Sequence, residues 1–231
     1  MVDLHLLRRD GHDETFTLAV PEIEDVAWSD AGSYVALTSQ EKPEIILLDQ
    51  DWALGHLGRA ELIYPLCPEP VCRCSKLIFA PDEKVLLVVA EMEIKSNSIR
   101  EALFILDVPT LGILKRLTLD EGESVTSLSW RHKHSQVMIS YASEKTVLLS
   151  VEESKITALP FKSSTCCCHP TNADLCAFVG NGRVFIANVE TRALVTEHAV
   201  EDNGVMALCW SSDGSRLFAA SSTGWAYTCL L

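Results

Sequence analysis

The stretch Val205-Met206-Ala207-Leu208-Cys209-Trp210, then Ser211-Ser212-Asp213-Gly214, then Arg216-Leu217-Phe218-Ala219-Ala220, decides how the rest of the chain is read. An apolar run, a turn rich in Ser, Asp and Gly, and a second apolar run make a β-hairpin. The turn residues supply backbone freedom and the flanking runs supply two strands to pair. The same pattern opens the chain as Val26-Ala27-Trp28, Ser29-Asp30-Ala31-Gly32 and Tyr34-Val35-Ala36-Leu37. It recurs as Leu77-Ile78-Phe79, Ala80-Pro81-Asp82-Glu83 and residues 85–89, and as Leu128-Ser129-Trp130 ahead of Val137-Met138-Ile139. A weaker copy runs Cys166-Cys167-Cys168, His169-Pro170-Thr171-Asn172, Leu175-Cys176-Ala177-Phe178.

The equivalent positions are 28, 79, 130, 168 and 210, between 38 and 51 residues apart. An apolar residue of the next strand falls seven positions later at Val35, Val137, Leu175 and Leu217. A third apolar strand follows in each unit, at 45–48, 103–106, 147–149, 184–187 and 225–227. A fourth, more polar strand closes the first four units, as in Ile113-Leu114-Lys115-Arg116-Leu117 and Leu194-Val195-Thr196-Glu197-His198. Four antiparallel strands per repeat is the composition of a propeller blade. Helical periodicity is hard to find anywhere in the chain. The expectation is an all-β propeller forming one domain over 1–231. Its units run approximately 23–67, 76–118, 124–161, 163–200 and 204–231, and strands within 2–20 contribute to closure.

These repeats resemble the WD40 family. The Trp28-Ser29-Asp30-Ala31-Gly32 and Trp210-Ser211-Ser212-Asp213-Gly214 turns are similar to its first hairpin, and Leu48-Asp49 and Leu106-Asp107 stand where its Trp-Asp pair would be. The repeats are degenerate. No third strand ends in Trp-Asp, and Gly11-His12 and Gly55-His56 are out of register for the family's Gly-His. The resemblance implies a scaffold for other proteins. It also implies a ring, typically of seven blades at about 40–45 residues each, which is more than this chain holds. In the family an N-terminal strand often completes the final blade, and residues 2–8 or 15–20 would do so beside 225–230. Three arrangements stay open: a five-bladed ring, an open propeller completed by a partner strand, or a truncated isoform. A four-strand blade has room for only one of those two N-terminal strands, which leaves one surplus, and the expectation leans to the last two arrangements.

Hydrophobic residues make up 48 % of the 231, ample for a packed core, and 19 basic against 32 acidic residues give a net charge of −13. Such a field repels phosphate backbones and anionic lipids, so neither nucleic acid nor a membrane is the expected partner. A basic protein segment is. Nine cysteines, an odd number set mostly in apolar runs, suit free thiols in a reducing compartment. Met1-Val2-Asp3-Leu4-His5 lacks the start of a signal peptide, and no run approaches 18 apolar residues. Cytoplasm or nucleus is the expected location.

No catalytic residue, cofactor or metal site is expected. Cys67, Cys72 and Cys74, with His56 upstream, are three thiols rather than the two spaced pairs of a zinc site. In Cys166-Cys167-Cys168-His169 successive side chains point to opposite faces of a strand, so three thiols do not converge. His132-Lys133-His134 beside Arg131 reads as a solvated basic turn. Phosphate-loop, nucleophile-elbow and zinc-protease motifs are all missing. The candidate partner-binding residues are Glu91, Glu93, Asp120, Glu121, Glu123, Glu201 and Asp202, which fall in loops sharing one face of a propeller. The insertion 91–101, read as a loop, is the first candidate contact region and 51–70 the second. Two other classes remain. One is an enzyme with residues scattered around a propeller channel. The other is a phosphoinositide-binding propeller, whose family carries paired arginines in a late blade, whereas Arg8-Arg9 here stand near the N-terminus.

Overall fold

The computed structural model describes residues 2–7, 13–18, 22–40, 42–49, 57–61, 71–94, 98–108, 110–119, 122–132, 134–200 and 204–230. Among them all regular structure is β, and no helix is long and apolar enough to cross a membrane. The chain divides into two compact units, 1–119 and 120–231.

In the first unit β1 (Val2–Leu7) and β2 (Asp13–Leu18) pair with each other. Blade one follows as β3 (Ile23–Trp28), β4 (Tyr34–Ser39), β5 (Glu44–Asp49) and β6 (Leu57–Glu61), and blade two as β7 (Val71–Phe79), β8 (Val85–Ile94), β9 (Ser98–Asp107) and β10 (Ile113–Thr118). The second unit holds blade three, of β11 (Val125–Trp130), β12 (Gln136–Tyr141), β13 (Lys145–Ser150) and β14 (Lys155–Lys162). Blade four is β15 (Thr165–Cys168), β16 (Leu175–Gly180), β17 (Arg183–Asn188) and β18 (Ala193–Ala199). Blade five has three strands, β19 (Val205–Trp210), β20 (Arg216–Ser221) and β21 (Ala226–Leu230). Every blade is an antiparallel meander in sequence order, so the fold is a β-propeller of five blades.

The repeat positions 28, 79, 130, 168 and 210 each end a first strand. The interval of seven is hairpin register: Trp28 lies opposite Val35, Phe79 opposite Leu86, Trp130 opposite Val137 and Trp210 opposite Leu217. Blade four departs from it. Cys168 faces Cys176 rather than Leu175, because its turn is one residue longer. The first strands of blades one, two, three and five also share a register shift at one place, between Ile23 and Asp25, Cys74 and Lys76, Val125 and Ser127, and Val205 and Ala207. A bulge there re-aims the residue it adds and sharpens the strand's twist.

The core lies between neighbouring sheets within each unit. Ala27, Ala36, Ile45 and Leu47 of blade one pack with Phe79, Leu86, Val88 and Phe104 of blade two. Met138 of blade three packs with Cys166, Cys168, Cys176 and Phe178 of blade four, and Ala177 and Val179 of blade four pack with Trp210, Leu217 and Ala219 of blade five.

One expected loop is not a loop. Residues 91–94 and 98–101 extend β8 and β9 to ten residues each, with Glu91 opposite Glu101, Met92 opposite Arg100 and Glu93 opposite Ile99. The alternation Glu91-Met92-Glu93-Ile94 is a strand pattern: Met92 is buried while Glu93 is exposed.

Candidate interaction surfaces

Adjacent blades present first strands whose main chains do not pair, so side chains join them. The Leu77 amide of β7 donates to Asp25 Oδ2 of β3 at 2.8 Å. Burial raises the Asp25 carboxyl above the usual range, and the Leu77 amide pulls the other way. From β11, Thr126 Oγ1 donates to the Ser164 carbonyl at 2.7 Å and Ser127 Oγ to the Cys166 carbonyl at 3.1 Å. Ser129 Oγ accepts from the Cys168 amide at 2.8 Å. Between β15 and β19 the reach reverses: Trp210 Nε1 donates to the Cys167 carbonyl at 3.0 Å.

The hairpin turns of blades one, three and four are tied in the same sense, each to the next blade. The Ala31 amide donates to Glu83 Oε1 at 2.7 Å. Arg131, expected in a solvated turn, is instead fully buried. Its Nε donates to the Ala173 carbonyl at 2.6 Å, and its Nη2 meets Asp174 at 3.1 Å and Glu190 at 2.7 Å. The planar guanidinium answers one carbonyl and two carboxylates at once, and these partners permit its burial. His169 Nδ1 accepts from the Thr171 and Asn172 amides at 3.2 and 3.0 Å, which leaves the proton on Nε2 to donate to the Gly214 carbonyl at 3.1 Å. The His169 ring also lies 4.7 Å from the Trp210 ring.

Blade five differs. Its turn bonds to itself: Ser211 Oγ donates to Asp213 Oδ1 at 2.6 Å, the Ser215 amide to the same oxygen at 3.0 Å, and these donors, Ser211 first, pull the Asp213 carboxyl down to about 2. The second strands of blades one to four are buried on both faces from their second residue through their sixth. In β20 burial alternates, Leu217 and Ala219 inside, Phe218 and Ala220 exposed. Register sets two exposed rows across the sheet, Cys209–Phe218–Thr228 and Ala207–Ala220–Ala226. Met206, the residue added by the bulge, is 70 % exposed.

The acidic candidates are placed as follows. Glu91 is paired with Arg73 at 2.7 Å, and Arg73 lies 4.0 Å from Glu24. Glu93 is exposed two residues along the same strand. Glu123 accepts from Ser143 Oγ at 2.5 Å in the other unit. Asp120, Glu121, Glu201 and Asp202 lie outside the described residues, as do His56, Cys67 and the segment 62–70. Among the described residues no group of three His, Cys, Asp or Glu is placed to hold a metal. The Cys166-Cys167-Cys168 run alternates in and out as its strand requires. The residue that the sequence reading missed is Cys176, whose Sγ lies 2.9 Å from Cys168 Sγ. A shallow cleft of about 440 Å³ lies beside β14, β17 and β18, lined by Phe161, Lys162, Arg183, Phe185 and Glu197 among others.

The fold and these surfaces define a β-propeller. No protein-family model matches the sequence, and no curated protein matches it. Among solved structures the chain is similar to one in the crystal structure of the mitotic checkpoint complex, with a TM-score of 0.73 and 14 % identity over 98 % of this chain and 69 % of that one. At that identity the likeness speaks for the fold.

Proposed function

We propose that this propeller is a non-catalytic scaffold, a subunit of a larger assembly in the cytoplasm or nucleus, that binds other proteins. The observation that carries the reading is the uncovered apolar face of blade five. Two rows of Ala, Cys, Phe and Thr side chains, bordered on the same face by the exposed Arg216, stand where the other blades have a covered face. The occupant we assign is a partner protein offering an apolar β-sheet surface, because that is what blade five itself offers to blade four through Leu217 and Ala219. The similar chain comes from a multi-protein complex, which agrees with a protein partner.

A second reading concerns basic segments. With a net charge of −13, the acids Glu91, Glu93, Asp120, Glu121, Glu123, Glu201 and Asp202 favour encounter with a Lys/Arg-rich stretch over nucleic acid or a membrane.

The full chain carrying Phe218→Asp and Ala220→Glu tests the first reading. Wild type and variant are compared by circular dichroism, light scattering and capture of partners from a cell extract. We expect an unchanged spectrum and loss of the proteins that only the wild type retains. An identical captured set would sink the reading, and wild-type dimers lost in the variant would assign the face to a second copy. Binding of a labelled oligolysine peptide to the Asp120→Lys, Glu121→Lys, Glu123→Lys variant tests the second, with an expected loss of at least tenfold at low salt.

A further inference from the structure

We propose that Cys168 and Cys176 form a peroxide-reactive dithiol that closes to a disulfide across β15 and β16. The two are directly opposite in the antiparallel register. The His169 amide donates to the Leu175 carbonyl at 2.9 Å, which marks the neighbouring pair as hydrogen-bonded and Cys168–Cys176 as the non-hydrogen-bonded position. There the Cα atoms stand about 4.5 Å apart, within the span a disulfide bridges. The sulfurs are already 2.9 Å apart, so a bond of about 2.0 Å asks for small side-chain rotations and no strand movement.

The neighbours single out this pair. Cys166 lies opposite Phe178 and its sulfur faces Ser127 Oγ at 3.8 Å, while Cys167 points to the other side of the strand into the core shared with blade five. Cys168 ends β15 at the mouth of the long turn and keeps 8 % of its surface exposed, whereas Cys176 is fully buried. The Cys176 thiol donates to Cys168, and with Ser129 and the Arg131 charge it holds the Cys168 thiol below its usual range; burial pushes Cys176 far above. Cys168 is therefore the attacking sulfur and Cys176 the resolving one.

The chemistry balances with hydrogen peroxide or a small alkyl peroxide as oxidant. The Cys168 thiolate forms an S–O bond as the O–O bond breaks, and the departing hydroxide or alkoxide takes a proton. The Cys176 sulfur then attacks the Cys168 sulfenic acid, the S–O bond breaks, and water leaves with the Cys176 proton. Two thiols are oxidised to one disulfide and the peroxide is reduced to water and water or alcohol; a thiol reductant reverses the bond.

The reduced full chain is treated with hydrogen peroxide, alkylated in denaturant and cleaved on the amino side of Asp174, which puts the two cysteines on different peptides. We expect a loss of two alkylatable thiols per chain and a Cys168–Cys176 cross-link located by fragment ions, both undone by dithiothreitol. Full alkylation of both residues while the exposed Cys72 and Cys209 oxidise would overturn the proposal, as would a bridge from Cys176 to Cys166 or Cys167. In Cys176→Ser, dimedone should trap the sulfenic acid on Cys168, and in Cys168→Ser it should label neither position. Labelling of Cys176 in the second variant overturns the assigned roles, and wild-type mapping decides by itself if either variant does not fold.

Discussion

Blades four and five are written in the same alphabet and end in different surroundings. Ala177 and Val179 of blade four face blade five and are buried. Phe218 and Ala220 stand at the matching places of blade five and are exposed. Blade four spends the His169 side chain of its turn on its neighbour's Gly214 carbonyl, while the turn side chains of blade five, Ser211, Asp213 and Ser215, bond to one another. The first strand of blade three sends Thr126, Ser127 and Ser129 to the main chain of the next blade, whereas the first strand of blade five carries Met206, Ala207 and Cys209 at those places. A covered junction in this fold combines polar reach with apolar packing. The blade-five face has the apolar half only, which suits a partner that binds by burying area rather than by main-chain register.

The comparison breaks most directly under a buried charge. Ala177→Asp places an unpaired carboxylate in the junction and should destabilise the second unit by about 3–5 kcal/mol. Phe218→Asp, at an exposed position, should cost no more than about 0.5 kcal/mol. Urea unfolding of both variants checks this, and equal costs would mean that the Phe218 face is covered.

Next in size is the His169–Gly214 contact. A Cβ on Gly214, where φ is +75°, would stand 2.1 Å from His169 Cε1, whereas one on Gly32, at φ +78°, meets nothing within 4 Å. Gly32→Ala should cost about 1–2 kcal/mol of backbone strain. Gly214→Ala should add about 1–3 kcal/mol of overpacking to the same strain, read as a lower urea midpoint.

Trp210→Phe keeps the ring against His169 and removes the Nε1 donor to the Cys167 carbonyl, for a loss of about 1 kcal/mol. No change in melting would show that packing alone holds this junction.

The smallest effect is at Asp25. Its folded carboxyl titrates above the ordinary 3.8, so the folded state binds the proton more tightly than the unfolded chain does. The stability this gives is full below pH 3.8 and is lost as pH rises through the raised value. Asp25→Asn keeps an acceptor for the Leu77 amide and does not titrate. Its melting temperature should therefore gain on wild type as pH rises from 3.8 and hold a constant margin above the raised value; a margin independent of pH would show that burial does not tune this group.

Much of the fold was legible because it repeats. Trp28, Phe79, Trp130 and Trp210 with their partners seven residues on are hairpin register seen from outside, and a blade is little more than that register used three times. The surfaces were less legible, for particular reasons. Residues 91–101 read as a long insertion between two strands, yet the buried Met92 beside the exposed Glu93 sets the alternation that makes 91–94 strand, paired with 98–101. Arg131 looks solvated beside His132 and Lys133, since its partners Ala173, Asp174 and Glu190 are more than forty residues away. Cys176 is found only after the extra turn residue puts it, and not Leu175, across from Cys168. The exposed rows of blade five escape detection because Leu217-Phe218-Ala219-Ala220 reads as buried on both faces, as Leu86-Leu87-Val88-Val89 is. Nothing in a strand's own letters says whether its neighbour is present.

Mass action gives the uncovered face of blade five a measurable meaning. A partner seated there as proposed would bind the folded chain and not the unfolded one, so at a hundred times its dissociation constant it would add about 2.7 kcal/mol to folding stability. The temperature at which this propeller melts is then a gauge of how much partner surrounds it, and a dilution series in cell extract reads that gauge without the partner's name.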